Sequence, residues 1–188
     1  MSRDLMHSEE VKAIVRDAYS AVGAGTRKVA QKLYSPEELA LVPDSAVDRA
    51  LGVANHLRHA EIGPDDVVLD LGCGAGIDTI LAARRAGRVI GLDFVLEMLE
   101  RTQAAAAAAG LGNVETVEGE IEAIPLADDS VDHVISNGVI NLSARKSRVL
   151  AECARVLRPG GRLTVSDLTV ENEELPPEIL MHPATWAG

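Results

Sequence analysis

Aromatic side chains are nearly missing from this 188-residue chain: one Trp, two Tyr and one Phe make up 2% of it. An aromatic-walled binding pocket therefore has little to be built from. Cysteine is equally sparse. Cys73 and Cys153 cannot form a disulfide framework, and they fit a reducing, cytoplasmic compartment. Basic residues are in deficit, with 18 Lys and Arg against 29 Asp and Glu, a formal net charge of -11. Phosphate backbones are bound by clustered Lys and Arg, so nucleic acid is not an expected partner. No apolar run reaches the roughly 18 residues of a membrane span, and Met1–Glu10 lacks the apolar segment of a signal peptide. No metal is expected either. What remains is an ordinary globular composition, 47% hydrophobic and 25% charged, about one domain long.

The chain changes character near residue 60. Residues 1–60 read as a helical N-terminal cap region. Glu9 to Val22 has amphipathic spacing that Gly23-Ala24-Gly25 breaks, Ser35-Pro36-Glu37-Glu38 is a capping box opening a short helix, and a further helix is expected over Ser45 to His59. From residue 61 to 170 strands and helices alternate. Val67–Asp70, Arg88–Asp93, Val114–Glu118, Val131–Ser136 and Arg162–Asp167 read as strands. Ile77–Ala86, Leu96–Ala109 and Ala144–Leu157 read as helices, the last ended by Arg158-Pro159-Gly160-Gly161. Such alternation predicts an α/β fold, a mostly parallel sheet with helices on both faces. Ligands of these sheets bind at the carboxyl ends of the strands, where Asp70, Asp93, Ser136, Asn137 and Asp167 fall. Residues 171–188 read as a tail.

The loop Asp70-Leu71-Gly72-Cys73-Gly74-Ala75-Gly76 stands between the first strand and its helix. A glycine loop there serves a dinucleotide, another nucleotide or merely a tight turn. Its spacing discriminates: G-x-G-x-x-G would need a third glycine where Ile77 stands, and the glycines instead follow G-x-G-x-G. Asp70 at the mouth would repel a pyrophosphate, whereas a ligand carrying ammonium or sulfonium charge gains from it. Asp93 ends the next strand, where a carboxylate can accept two ribose hydroxyls or can cap the helix that begins near Leu96. Glu118–Leu126, followed by Asp128–Asp132, offers an apolar residue beside acids, the makings of a purine wall or of a solvated acidic loop.

With Val68–Gly76, Ile90-Gly91-Leu92-Asp93, Ile124-Pro125-Leu126 and Arg155–Gly161 in place, the chain closely resembles the class I S-adenosylmethionine-dependent methyltransferases over about residues 65–167. The resemblance implies a Rossmann-like fold and S-adenosylmethionine as cofactor. It implies that Asp70, Gly72, Cys73, Gly74 and Gly76 form the loop around the cofactor's methionine and ribose. Asp93 would take the ribose hydroxyls, Phe94 and Met98 would lie by the adenosine, Ile121 and Glu122 by the adenine, and Ser136 and Asn137 by the methionine end. In this class an antiparallel hairpin follows the fifth strand. None is legible before Gly188, so the C-terminal strands are expected to be missing and the chain truncated, naturally short or completed by a partner.

A narrower resemblance, to arsenite methyltransferases, rests on Ser136–Ser143, Gly119-Glu120-Ile121-Glu122, Leu175-Pro176-Pro177-Glu178 and Tyr34–Leu39. That family holds arsenic with thiolates, as a soft metalloid requires. Here Thr79, Gly138 and Val53 stand at the cysteine positions, and the chain ends about where another would follow. Cys73 in the loop and Cys153 in a helix come from different elements and read as small packing residues. The reading is methyl transfer to a small-molecule acceptor, with arsenite methylation and a non-catalytic cofactor-binding module as alternatives, and with self-association open. Methyl transfer from a sulfonium asks chiefly for alignment and dryness, and no catalytic base is assigned. Tyr34, Asn55, His56 and Asn141 are the candidates for the acceptor side. His59 and His182 with Trp186 are weaker ones, and His133 reads as structural.

Overall fold

The computed structural model describes residues 13, 16, 17 and 26–169. Five strands, β1 (Val67–Leu71), β2 (Arg88–Asp93), β3 (Val114–Glu118), β4 (Val131–Asn137) and β5 (Leu157–Ser166), form one sheet in the order β3-β2-β1-β4-β5. Every pairing is parallel. β1, β2 and β4 are buried along nearly their whole length because parallel strands are covered on both faces. Successive side chains point to opposite faces, and the core divides accordingly. Val68, Val89 and Ile135 join one buried cluster, while Leu69, Leu71, Ile90, Leu92 and Val134 join the other.

Helices α1 (Arg27–Leu33), α2 (Pro36–Leu39) and α3 (Asp44–Val47) precede the sheet, with a 3-10 turn at His56–Arg58. Between strands run α4 (Ile77–Ala83), α5 (Leu96–Ala108) and α6 (Lys146–Val156). The first cluster takes α4, Ala105 of α5, and Ala30, Tyr34, Ala46, Val47 and Leu57 from the N-terminal part. The second takes Val149, Cys153 and Val156 of α6. β2 and β3 extend the sheet to one side of β1, β4 and β5 to the other. The switch point thus lies between the carboxyl ends of β1 and β4, where a crevice must open.

Most expected elements agree with these bounds to within a few residues, and the capping box is formed. Ser35 Oγ accepts from Glu38 N at 3.2 Å while Glu38 Oε2 accepts from Ser35 N at 2.8 Å. The helix expected over Ser45 to His59 is the chief correction, since only Asp44–Val47 is α-helical. A tertiary contact takes the backbone that helix would have used: the Asn137 side chain accepts from Val53 N (2.8 Å) and Ala54 N (3.3 Å) and donates to Ala54 O (2.8 Å). β5 begins at Leu157 rather than Arg162. The Pro159-Gly160-Gly161 turn survives as a bulge, because Leu157 pairs with Val131 and Arg162 already with His133. The helix expected over Glu9–Val22 and the tail 171–188 fall outside the described residues, apart from helical Ala13, Arg16 and Asp17.

Ser35→Ala removes a helix cap and should cost about 1 kcal/mol. Urea denaturation should show the loss as a lower midpoint with unchanged slope. An unchanged midpoint would mean that α2 does not unfold with the core.

Candidate functional site

The site is built at the switch point. The loop after β1 folds back onto β2: Gly72 N and Cys73 N both donate to Leu92 O, at 2.7 and 3.0 Å. Gly74 sits at φ +53°, and a Cβ built on it meets no atom within 4 Å, so it would project into open space. Gly76, at φ +93°, is the N-cap of α4, and a Cβ there would stand 2.9 Å from Thr102 Oγ1. Side chains rarely tolerate that backbone, and here there is also no room for one.

Three carboxylates converge behind this loop. Asp70, at the end of β1, accepts from Thr79 Oγ1 at 2.5 Å. Asp78, in the first turn of α4, accepts from Tyr34 Oη (2.7 Å) and Asn137 Nδ2 (2.9 Å). Asp93, at the end of β2, accepts from Gly74 N (3.1 Å) and Val95 N (3.0 Å). All three are buried, and none is ion-paired with Lys or Arg among the described residues. Burial, then the neighbouring Asp78 charge, pushes the Asp70 carboxyl up to about 8. Burial also raises Asp78 and Asp93, the latter against the backbone N–H groups of Val95 and Gly74. Tyr34 is raised by burial and by Asp78, which keeps its hydroxyl a donor. Desolvation lowers His56, favouring the neutral ring.

A cavity opens in front of these groups. Of the expected cofactor residues, Asp70, Gly72, Cys73, Gly74, Asp93, Phe94, Met98, Ile121, Glu122 and Asn137 line it. Gly76 and Ser136 do not: Gly76 packs on Thr102, and Ser136 is fully buried in β4, its Oγ without a partner among the described residues. The acceptor-side candidates are not on the wall either. Tyr34 lies behind Asp78, Asn55 donates to Glu38 (3.0 Å), His56 is buried, and the backbone of Asn141 binds Asp167 (2.8 Å). His133 pairs with Asp66 at 3.1 Å, as a structural residue would. The alternative role for Asp93, a cap on α5, is met only in part. Val95 is the N-cap, and Asp93 binds its N–H from two residues upstream.

Sequence reasoning missed Asp78 and the cavity-facing stretch of residues 49–52. An acid in a first helical turn looks like routine dipole matching, and Arg49 to Gly52 looked like helix. Both Cys73 and Cys153 are buried and free. Burial raises the Cys73 thiol, as do Asp70 and Asp93, and it raises Cys153 to about 11, so neither is a ready nucleophile.

Glycine cradle, strand-end acids and doubly wound sheet together find their counterpart among known proteins. Residues 62–187 match the family model of a methyltransferase domain. An arsenite methyltransferase of Halobacterium salinarum is 42% identical over 158 residues, which are 82% of this chain and 40% of that protein. A malonyl-[acyl-carrier protein] O-methyltransferase of Methylococcus capsulatus is 37% identical over 65% of this chain and 45% of its own. Among solved structures, the arsenic(III) S-adenosylmethionine methyltransferase of Chlamydomonas reinhardtii superposes with a TM-score of 0.63 at 33% identity, covering 91% of this chain and 54% of that one. The chain belongs to the class I, S-adenosylmethionine-dependent methyltransferase family. It spans about 40% of the length of the Halobacterium relative.

A pH dependence follows from the buried acids. Below the ordinary carboxylate pKa, Asp70 is protonated in both folded and unfolded chains. Between about 4 and 8 the unfolded chain releases the proton and the folded one keeps it, so Asp70 makes stability fall as pH rises. Asp70→Asn should flatten that fall. Urea midpoints at pH 6 and 8.5 for both proteins check it, and equal slopes would contradict the assignment.

Proposed function

We propose that this chain binds S-adenosylmethionine in the glycine-loop cavity and transfers its methyl group to a small organic acceptor rather than to arsenite. The observation that carries the reading is the trio of buried carboxylates, without basic partners among the described residues, facing a glycine-rich loop. Such a wall repels phosphate and suits a ligand bearing ammonium and sulfonium charge. The cofactor, when bound, supplies an already activated methyl group. Asp93 is then the ribose ligand, oriented by the two backbone N–H groups it accepts. Gly72 and Gly74 admit the ligand close to the backbone. Phe94, Met98 and Ile121 supply apolar surface for the adenine with Glu122 at its edge, and Asp70 and Asn137 face the amino-acid end. Residues 1–60 act as a cap over the cofactor domain of residues 61–170.

The acceptor assignment rests on thiols. Arsenite needs sulfur ligands, and the positions at which the related enzymes are expected to carry cysteine hold Val53, Thr79 and Gly138. The structure brings two of these together, a Cβ on Gly138 lying 3.2 Å from Val53 Cγ1. Thr79 is committed to Asp70. Cys73 and Cys153 lie in a loop and in α6, and among the described residues no group of three or more His, Cys, Asp or Glu could hold a metal. The two free, buried thiols support a reducing, cytoplasmic setting.

Calorimetric titration should show binding of S-adenosylmethionine and S-adenosylhomocysteine and none of NAD. Asp93→Ala should weaken S-adenosylmethionine at least tenfold, about 1.4 kcal/mol. Unchanged affinity in a folded mutant would refute the ribose role. Release of S-adenosylhomocysteine in an acceptor screen supports turnover, and stoichiometric binding without release on any acceptor would favour a binding module.

A further inference from the structure

The cavity wall is strongly unbalanced in charge. Among the described residues, Asp70, Asp78, Asp93, Glu120 and Glu122 line it with Arg49 and Arg101 as the basic side chains, while Arg16 lies over the ring of Phe94, 5.6 Å from its centre. Arg101 is committed, donating to Glu97 at 2.5 Å and lying against the Met98 sulfur at 3.8 Å. Arg49 is not. Among the described residues its guanidinium makes one long hydrogen bond, 3.4 Å from Nη1 to Ser45 O, and no ion pair. Its Nε is shut off from solvent and has no acceptor. A buried guanidinium N–H left unpaired is costly, and its planar fork matches a carboxylate.

Arg49 is also held in place. Ala46, Val47 and Ala50 around it are buried. A few residues on, the Asn137 amide grips the backbone of Val53 and Ala54, and Gly52 lies so close to that amide that a Cβ would fall 2.4 Å from Nδ2. The stretch therefore bridges from α3 to the carboxyl end of β4, across the loop side of the cavity.

We propose that Arg49 is the carboxylate-binding residue of this cavity and receives the α-carboxylate at the amino-acid end of the cofactor. The inference rests on the cofactor reading above. The acids meet the ligand's positive charges and repel its one carboxylate, which needs a cation that the wall offers, uncommitted, at Arg49. A carboxylate on the acceptor is the competing source of the same chemistry.

The test compares S-adenosylhomocysteine with 5′-methylthioadenosine, which keeps the adenosine and lacks the amino-acid end. By calorimetry, Arg49→Gln should weaken S-adenosylhomocysteine about tenfold and leave methylthioadenosine within about twofold, with Arg49→Lys in between. Should the Gln variant fail to fold, the primary amide of S-adenosylhomocysteine gives the same information on the unaltered protein: a loss of about tenfold supports the pairing and none overturns it. Unchanged S-adenosylhomocysteine affinity in folded Arg49→Gln overturns the assignment and turns Arg49 toward the acceptor. Equal losses for both ligands overturn it as general damage to the cavity. Binding of neither ligand by the unaltered protein overturns the cofactor reading itself, and this inference with it.

Discussion

Three acids gathered behind a loop of glycines, with no basic partner among the described residues, govern this molecule. Asp70 and Asp93 end adjacent strands and Asp78 opens the helix between them, so the doubly wound topology forces the three carboxylates together. Each is made tolerable by neutral donors: Thr79 for Asp70, Tyr34 and Asn137 for Asp78, and backbone N–H groups for Asp93. Donors of that kind reduce the cost of burial but supply no countercharge, and Asp70 keeps its proton up to about 8. The protein therefore keeps a standing preference for a cation, which a sulfonium cofactor satisfies.

The same donors tie the N-terminal part to the sheet. Tyr34 reaches Asp78 from α1, and Asn137 holds Asp78 with one hand and the backbone of Val53 and Ala54 with the other. Asn137 also accepts from Ser166 Oγ at 2.8 Å, which joins β5 to the network. One amide thus couples the end of β4, the end of β5, the first turn of α4 and the segment bearing Arg49.

The chain is similar to arsenite methyltransferases in sequence and in fold. The likeness extends over most of the chain, yet soft-metalloid chemistry lives in three or four sulfur atoms, and fold does not carry them along. Val53 lies against Gly138 in this chain, and neither position carries a thiol. The chain spans under half of its Halobacterium relative, so what the remainder of such a protein adds lies beyond this domain.

Much of this was legible in the residues. β2 has the bounds its apolar run indicated, because a parallel strand covered on both faces leaves a local signature, and the alternating edge strand β3 keeps its expected bounds as well. The capping box at Ser35 and the glycine loop are likewise local, set by backbone sterics and hydrogen bonds within a few residues. Ten of the twelve expected cofactor positions line the cavity, those at strand ends and in the loop after β1 because topology places them. What the sequence could not show depends on contacts between distant residues. The broken helix after Val47 follows from Asn137 reaching more than eighty positions back along the chain, Asn55 is drawn off the wall by Glu38, and Tyr34 by Asp78. Local propensity is written residue by residue. A side-chain amide that captures a remote backbone is decided only when the sheet brings the two together.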